Sequence, residues 1–566
     1  FGQGDVTSEF VGLARADRER ALKGLPLVHF NGASGNVAAG KYNDGTPALR
    51  VELTRRMGDG MRRAWEATEK RPITAKDVAW RVEPVSLPAN AKLDVAQLRA
   101  TLDNGTQPLT LLVDELPMPV GSLVRVSGGG ERGGAGAGVL GGGGNGAGRS
   151  AGLGEIVGFD AGRAIVMMLG TTAGIRPGDR VIGLQASQSV ALGETLLGRV
   201  IDGLGRPLDH KPPPERTVLR AVDPEPLTPL ERARIRSAIY TGVRAVDLMT
   251  TLGRGQRMGV FAGPGVGKST LLGNIARQSS SDVSVVALIG ERGREVGDFI
   301  EHALGKEGLA RSVVVAATSD ESPLLRVRAA HVACAVAEYF RDAGRDVTLI
   351  MDSVTRFAHA QRQIGLSVGE PPATKGYTPS VFSALARMLE RAGAVQESDG
   401  SAGSGAARKG GSITGIYSIL VEGDDMTDPI ADAARGILDG HIILSRGLAQ
   451  RGHFPAIDVL DSVSRVAGDV CDEAHVAARQ QLIRLLAKFN EVEDLVQIGA
   501  YAKGSNPVAD VAIRYQEAIN DLLRQGKGET VLSAQVKASF EQARGRMVKI
   551  AVEAGAAIAQ LSGKRA

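Results

Sequence analysis

The sequence predicts an α/β protein in which a parallel-sheet domain is preceded by a small β-barrel and followed by an α-helical domain. Three observations support this prediction. Residues 215–466 alternate apolar β-type runs with helical stretches, which is typical of a parallel α/β sheet. Residues 112–211 contain short β-type runs bounded by Gly and Asp. In residues 467–566, apolar residues recur at three- and four-residue spacing, as in packed helices.

Composition excludes several classes of protein. The 566 residues include 67 basic and 63 acidic side chains, and the net charge of +4 is too small to indicate a nucleic-acid partner. The two cysteines, Cys334 and Cys471, rule out a disulfide framework, and each is predicted to be a buried thiol in helical sequence. No run approaches the roughly 20 apolar residues of a membrane span, so we expect a cytoplasmic protein.

Residues 1–92 do not resemble the rest of the chain. They hold a turn-rich passage, Gly24–Thr46, and a candidate amphipathic helix around Leu49–Lys70. We leave this segment unassigned and interpret it as fused or mis-joined to the remainder.

The predicted barrel occupies residues 112–211 and has about six strands. Its runs are Ser122–Gly128, Gly154–Leu169, DRVIGL and TLLGRVID. A Gly-rich insert at residues 128–154 is interpreted as a loop between two strands, because such sequence cannot bury enough apolar surface to order itself. Pro212–Pro214 mark a linker.

Six apolar runs are the candidate strands of the parallel sheet. A second insert, Ala392–Gly411, is predicted to be a surface loop because it is rich in Gly and Ser. The candidate strands are RMGVFAG, VSVVALIG, SVVVAAT, VTLIMD, ITGIYSIL and HIILS.

The segment Val260–Thr270, VFAGPGVGKST, predicts a phosphate-binding loop between a strand and a helix. Glycines let the backbone turn tightly and present N–H groups to an anion, while Lys268 adds a cation and Ser269 a hydroxyl suited to Mg²⁺. Ala262 stands where the Walker A pattern has its first Gly, and a small residue satisfies that position. The predicted nucleotide-binding residues are Gly263, Pro264, Gly265, Val266, Gly267, Lys268, Ser269 and Thr270.

Phosphoryl transfer to water also needs a metal holder and a group that acts on the water. Asp352 ends the run VTLIMD and Glu291 follows the run VVALIG, so both carboxylates are predicted at the carboxyl edge of the sheet. Arg292 and Arg356 are either phosphate contacts or members of a solvated face.

Several longer motifs resemble the rotary ATP synthase α/β family. They are GRVIDGLGRPLD (Gly198–Asp209), the phosphate-binding loop, GERGREVGDF, DSVTRFAHAQRQIG from Asp352 and PAIDVLDSVSR (Pro455–Arg465). Within that family, GEPPATKGYTPSVFSALARMLERAG and EVEDLVQIGAYAKGSNPVADVAI resemble the flagellar and type III protein export ATPases. The resemblance implies a RecA-like P-loop domain and extends from about Leu112 to Gln525.

This resemblance implies a role for each site residue. Lys268 and Ser269 would hold the phosphates and Mg²⁺, with Asp352 acting from the metal's surroundings. Glu291 would polarise water, and Arg292 and Arg356 would lie near the γ-phosphate. Arg465 would be an arginine finger offered to the neighbouring subunit, and Phe454 would stack on adenine or be a packed core aromatic.

The same resemblance implies ATP and Mg²⁺ as cofactors and a homohexamer with sites between subunits. It further implies a stalk-like export regulator and chaperone–substrate complexes as partners, with peripheral association at the inner face of the cytoplasmic membrane. The expected activity is ATP hydrolysis that energises export through a flagellar or related type III apparatus, releasing substrates from chaperones and unfolding them.

Two alternatives compete with this interpretation. A catalytic subunit of a rotary proton-translocating ATP synthase would normally carry an acidic DELSEED-like stretch in its C-terminal helices, and no such stretch is present. A hexameric RNA translocase would need a basic, aromatic-bearing N-terminal module, which the sequence does not show.

Overall fold

The computed structural model divides into two compact units, Phe1–Leu102 and Asp103–Ala566. In the first unit, the described residues fall between positions 55 and 67 and are helical, within the predicted helix Leu49–Lys70. The other predictions for residues 1–92, and those for most of the two Gly-rich inserts, lie outside the described residues. The structure describes residues 55–56, 58–60, 62–63, 66–67, 110–113, 118–127, 152–160, 163–170, 172, 175, 179–185, 188–397, 409–421, 427–526, 529 and 531–563.

A five-stranded antiparallel sheet opens the second unit, in the strand order β1-β4-β3-β2-β5. Val124, Ile156 and Val166 are fully buried in its core, so the predicted small β unit before the parallel sheet is confirmed. The five strands are β1 (Thr110–Val113), β2 (Leu123–Ser127), β3 (Gly152–Asp160), β4 (Arg163–Met168) and β5 (Arg180–Gln185).

One predicted barrel strand belongs elsewhere. In the run TLLGRVID, Arg199–Ile201 pairs in parallel with Val313–Val315 and therefore joins the large sheet instead of the small one. The reason is that the residue pattern of so short a strand indicates that it is buried but does not show which strand it pairs with. The second unit also contains two short two-stranded sheets: β6 (Ser189–Leu192) with β8 (Val218–Ala221), and β9 (Ala238–Ile239) with β10 (Leu252–Gly253).

The large sheet contains nine strands, and its central strands are parallel. All six predicted strands are present in it. The strands are β7 (Arg199–Ile201), β11 (Arg257–Ala262), β12 (Val283–Glu291), β13 (Ser312–Thr318), β14 (Asp346–Asp352), β15 (Gly393–Ala394), β16 (Ser412–Leu420), β17 (Gly440–Leu444) and β18 (Ile457–Ser464).

The strand order is β18-β17-β11-β16-β14-β12-β13-β7, with β15 paired to β16. Only two pairings within this sheet are antiparallel among the described strands, β17 with β18 and β15 with β16. Because all the other strands run the same way, their carboxyl ends meet along one edge.

Both faces of the sheet are covered, as continuous apolar strands require. Side chains alternate along β12: Val285 and Ala287 enter one core, while Val286 and Leu288 enter the other.

Thirteen α-helices of the second unit are described. They are α1 (Arg244–Met249), α2 (Lys268–Gln278), α3 (Gly293–Asp298), α4 (Gly305–Ala310), α5 (Pro323–Asp342), α6 (Val354–Ser367), α7 (Pro379–Leu389), α8 (Pro429–Ile437), α9 (Arg446–Gln450), α10 (Ala467–Val470), α11 (Glu473–Gln497), α12 (Pro507–Leu523) and α13 (Val536–Gly563).

The last three helices form the predicted C-terminal helical region. Leu482, Ile519 and Met547, one from each of α11, α12 and α13, are fully buried together. Their core is continuous with Val246 of α1 and Leu272 of α2. The helical region is therefore packed directly against α1, and it shares one core with the helix that follows the phosphate-binding loop.

Both cysteines are free thiols, and one prediction about them is wrong. Cys334 is buried in α5, as expected, but Cys471 is only half-buried and lies in the bend between α10 and α11. Within the described part of the chain, no helix combines the length and the apolar composition that a membrane crossing requires.

Candidate active site

The phosphate-binding loop lies at the carboxyl edge of the large sheet. Ala262 is the last residue of β11 and is buried, which explains why a small residue suffices there. Gly265 and Gly267 have φ of +80° and +93°, in the left-handed region that glycine adopts most readily. A Cβ built at Gly265 would have no atom within 4 Å, so the loop surrounds open space at the N-terminus of α2.

Lys268 and Asp352 meet at this edge. The Lys268 ammonium donates a hydrogen bond to Oδ1 of Asp352, and both side chains are largely buried, 12% and 3% exposed. Asp352 reaches this position because β14 ends there. Ser269 is exposed beside the same loop.

Glu291 ends the neighbouring strand, β12, where Leu288 pairs with Asp352. Its Oε1 atom is buried and has no hydrogen-bond partner among the described residues. Burial, followed by the negative charge of Asp352, raises the pKa of the Glu291 carboxyl to about 7, against the opposing effect of Lys268. A buried oxygen left unpaired is costly, and such an atom is suited to receive a proton from water.

The two candidate phosphate arginines are placed differently. Arg356 lies in the first turn of α6 with its stem against Gly290, where an added Cβ would lie 3.0 Å from Arg356 Cβ. Its Nε is buried without a partner among the described residues. Arg292 is 75% exposed and donates to Glu295 at 3.0 Å. The fold therefore brings Arg356, and not Arg292, into the buried part of the site.

Phe454 lies beside the loop, 44% exposed and 3.9 Å from a Cβ built at Gly267. It lines a cavity of about 630 Å³ that begins at the loop. The cavity walls are Val243, Gly265, Val266, Gly267, Thr270, Leu271, Asn274, Leu444, Gly452, Phe454, Pro455, Ala456, Arg524, Gln525, Gly526 and Glu529.

Sequence patterns did not predict the outer wall of this cavity, which Arg524, Gln525, Gly526 and Glu529 form. These residues follow α12, more than 250 positions after the loop, and carry no recognisable nucleotide-binding pattern. Only the packing of the helical region against α1 brings them here.

Arg465 is not part of this cluster. It is exposed and follows Ser464, which pairs with Gly440 at the start of β17. Phe454 precedes the other end of β18, close to Ile457, which pairs with Leu444. Since eight residues of strand span roughly 25 Å, Arg465 lies at the amino edge of the sheet, opposite the loop.

The carboxylates at this site can bind Mg²⁺ only together with the phosphates of a bound nucleotide. The described residues contain no group of three or more His, Cys, Asp or Glu side chains that could hold a metal. Mg²⁺ commonly uses one or two carboxylates together with substrate phosphates. The exposed Ser269 hydroxyl and the buried Asp352 fit such a shared site.

Comparison with known proteins gives matches that cover most of the large sheet and the C-terminal helices. The model of the ATP synthase alpha/beta family, nucleotide-binding domain, matches residues 242–464, and that of the T3SS EscN ATPase C-terminal domain matches residues 471–542. The flagellum-specific ATP synthase of Salmonella typhimurium is 52% identical over 379 residues, covering 66% of this chain and 81% of the relative. The type 3 secretion system ATPase of Xanthomonas euvesicatoria is 51% identical over 371 residues, with coverages of 66% and 81%.

Solved structures agree with these matches. The assembled ATPase EscN from the enteropathogenic E. coli type III secretion system superposes with a TM-score of 0.68 at 37% identity. The match covers 79% of this chain and 98% of EscN. The structure of EscN in complex with its central stalk EscO gives a TM-score of 0.67 at the same identity and coverages.

A phosphate-binding loop at the carboxyl edge of a parallel sheet, a buried Lys–Asp pair and an adjacent cavity of about 630 Å³ define a P-loop ATPase. The chain belongs to the ATP synthase α/β family, and its relatives within that family are the flagellum-specific and type 3 secretion ATPases.

Proposed function

We propose that this ATPase energises protein export through a flagellar or related type III apparatus, coupling hydrolysis to the release of substrates from chaperones and to their unfolding. The names of its relatives support the export branch. The match of residues 471–542 to the T3SS EscN C-terminal domain favours export over a rotary synthase, because this helical region is where the two branches are expected to differ.

The observation that carries the proposed mechanism is the separation of Arg465 from Lys268 and Glu291. A guanidinium at the amino edge of the sheet cannot reach its own phosphate loop at the carboxyl edge, yet it is exposed to a neighbour. We propose that copies of the chain form a homohexamer in which Arg465 of one subunit completes the nucleotide site of the next.

Within each site, the loop N–H groups and Lys268 bind the phosphates, so the Lys268 ammonium exchanges Asp352 for phosphate oxygen. Ser269 and Asp352 would hold Mg²⁺, which would supply positive charge to the β- and γ-phosphates. Phe454 stacks on the base.

Glu291 accepts a proton from the attacking water as the water oxygen bonds to the γ-phosphorus and the bond to the bridging oxygen breaks. Arg356 and Arg292 donate to γ-phosphate oxygens. Arg292 must leave Glu295 to do so, which its exposure permits.

Further partners follow by analogy. EscN has been solved with its central stalk EscO, and we propose that a stalk-like regulator binds the hexamer of this chain. We also propose that chaperone–substrate complexes bind it and that it works in the cytoplasm, associated peripherally with the inner face of the membrane at the export gate.

Phosphate release per chain, measured across the concentration range of assembly, tests the shared site. Specific activity should rise with protein concentration, because an arginine finger contributes about 10³ to 10⁵ in rate. A constant specific activity would show that each chain carries a complete site and would overturn the shared-site mechanism.

Release of an export substrate from its purified chaperone tests the export role. We expect release to require ATP and to stop in Glu291→Gln. Release that is equally fast without ATP would exclude this coupling.

A further inference from the structure

The outer wall of the cavity follows directly after the last residue of α12. We call Arg524, Gln525, Gly526 and Glu529 the C-terminal wall. The Gln525 backbone N–H donates to the Phe454 carbonyl at 2.8 Å, so the wall is attached to the aromatic residue that lines the same cavity. A shift of the end of α12 would therefore move one side of the cavity.

Arg244, the first residue of α1, holds this wall through three nitrogen atoms of its side chain. Its Nε donates to the Leu522 carbonyl at 3.0 Å, its Nη1 donates to Glu529 Oε2 at 2.6 Å, and its Nη2 donates to the Arg524 carbonyl. The side chain is only 20% exposed. One rigid, planar group thus binds three acceptors at the end of α12 and just beyond it.

The backbone beside Arg244 makes a second connection to the wall. The Arg244 N–H donates to Gln525 Oε1 at 3.0 Å, and the Gln525 amide donates in turn to the Gly242 carbonyl at 2.9 Å. Because this amide both accepts and donates, its orientation relative to the start of α1 is fixed.

The turn that receives these bonds is itself held in place. Asp247, 3% exposed, accepts from the N–H groups of Thr241 and Gly242 at 2.8 and 3.0 Å. Gly242 has a φ of +79°, and a Cβ built there would lie 2.5 Å from Gln278 Oε1 at the end of α2. The turn is therefore packed against the helix that follows the phosphate-binding loop, and Arg244 joins it to the end of α12.

We infer that Arg244 is a positioning residue for nucleotide binding, which holds the C-terminal wall at the cavity and so couples occupancy of the cavity to the attachment of α12. The inference rests on the proposed nucleotide site, in which the base lies beside Phe454. It requires no particular orientation of the base, because the wall bounds the cavity in every case. The coupling is reciprocal: a nucleotide that binds better when the wall is attached also strengthens that attachment.

Arg244→Ala tests the effect on affinity. We expect the Kd for ADP to rise about tenfold, because three hydrogen bonds to the wall are lost. The KM for ATP should rise in parallel, while kcat at saturating ATP stays within about twofold, since Lys268 and Glu291 are unchanged. Calorimetric titration with ADP and steady-state phosphate release measure these quantities.

Arg544→Ala is the matched control. Arg544 lies on α13, its side chain is 24% exposed, and it forms ion pairs with Asp472 and Glu541. It is not among the residues that line the cavity in the described part of the chain. This variant removes a comparable arginine from the helical region and should leave the Kd for ADP unchanged.

Arg244→Lys keeps the positive charge but places its donors on one nitrogen, which cannot reach all three acceptors. We expect a Kd for ADP between those of the unchanged protein and Arg244→Ala. Urea midpoints without nucleotide show whether each variant is folded, and Arg244→Lys supplies the comparison if Arg244→Ala is not.

Amide hydrogen exchange with and without ADP tests the coupling itself. ADP should slow exchange in the last turn of α12 in the unchanged protein and in Arg544→Ala, but not in Arg244→Ala at saturating ADP. A residue that only stabilised the fold would not abolish this response to ADP.

Equal Kd values for ADP in the unchanged protein and the folded Arg244 variants would overturn the inference, as would retained ADP protection of α12 in Arg244→Ala. A lower kcat and urea midpoint with an unchanged Kd would also overturn it, because the role would then be structural only. The proposed function fails separately if the unchanged protein binds ADP but hydrolyses no ATP, and the ADP titrations would then still decide the role of Arg244. An unchanged protein that binds no ADP would overturn both.

Discussion

At the scale of single residues, some charged side chains of the site are buried and paired, whereas others are exposed. Asp352 and Lys268 are fixed in a buried pair, whereas Arg292 and Ser269 are exposed. Glu291 is intermediate: its backbone is set by β12, but its Oε1 is unpaired among the described residues. In the proposed mechanism, the Lys268–Asp352 pair lies where phosphates would bind, and Glu291 lies where water would be activated.

Glu291→Gln should abolish hydrolysis while nucleotide binding persists. The amide cannot accept the proton, so kcat should fall by about 10² to 10⁴, with little change in ADP affinity. Steady-state phosphate release and ADP titration measure the two quantities.

Glu307→Gln removes an exposed carboxylate from α4 and serves as the control. Retention of more than a tenth of the activity by Glu291→Gln would exclude Glu291 as the proton acceptor.

At the scale of elements, the motif Gly198–Asp209 is explained by packing. Asp202 accepts from the N–H groups of Leu204 and Arg206, both at 2.8 Å, and so closes a tight turn. A Cβ at Gly203 would lie 2.8 Å from the Leu325 carbonyl, so the turn can pack on the start of α5 only with glycine there. Within this motif, Arg199–Ile201 form the edge strand β7 of the large sheet.

The Arg199–Asp209 pair, which anchors this motif, should make stability depend on acid pH. Arg199 donates to Asp209 through Nε at 2.6 Å and Nη2 at 3.0 Å. The hydrogen bond from Arg199 is the largest cause that lowers the pKa of Asp209 to about 2. A depressed carboxyl pKa stabilises the fold above pH 4, and this contribution is lost as the pH falls from about 4 to 2.

Asp209→Asn should therefore lower the free energy of unfolding by about 2 kcal/mol at pH 7 and by much less near pH 2. Urea midpoints at the two pH values measure this difference. Asp160→Asn, at the exposed end of β3, is the control. An equal loss at both pH values would contradict an ionic origin.

At the scale of the whole molecule, the two edges of the large sheet carry different candidate site residues. The carboxyl edge carries the loop, Glu291 and Asp352, and the amino edge carries Arg465. In the proposed mechanism, a single chain would thus be both an incomplete site and a donor to another site, as in a ring of identical subunits.

Mixing two inactive variants should restore activity. Lys268→Ala lacks the loop cation and Arg465→Ala lacks the finger, but in mixed rings an intact loop can face an intact Arg465. We expect each variant alone to be reduced by about 10³-fold or more and a mixture to recover a measurable fraction.

Phosphate release from mixtures at constant total protein measures this recovery. In the reference experiment, each variant is mixed with the Glu307→Gln control protein, which shows the effect of simple dilution. Activity equal to the sum of the separate variants would exclude a site shared between subunits.

Much of the fold follows from local patterns. The six central strands were predictable because strands buried on both faces are continuous apolar runs, and the carboxylates at Glu291 and Asp352 were predictable because parallel strands end at one edge. The half-buried Cys471 was mispredicted because apolar sequence near a helix does not reveal a bend between two helices.

By itself, then, the sequence determined the loop, the order of the strands along the chain and the side chains that end them, since each is encoded within a few neighbouring residues. Tertiary structure alone decided that Arg199–Ile201 joins the large sheet, that Arg465 and the loop lie at opposite edges, and that Arg524, Gln525, Gly526 and Glu529 line the cavity beside the loop. The physical reason is that a local pattern specifies how much of a segment is buried, whereas its partner is chosen by the packing of segments far apart in the chain.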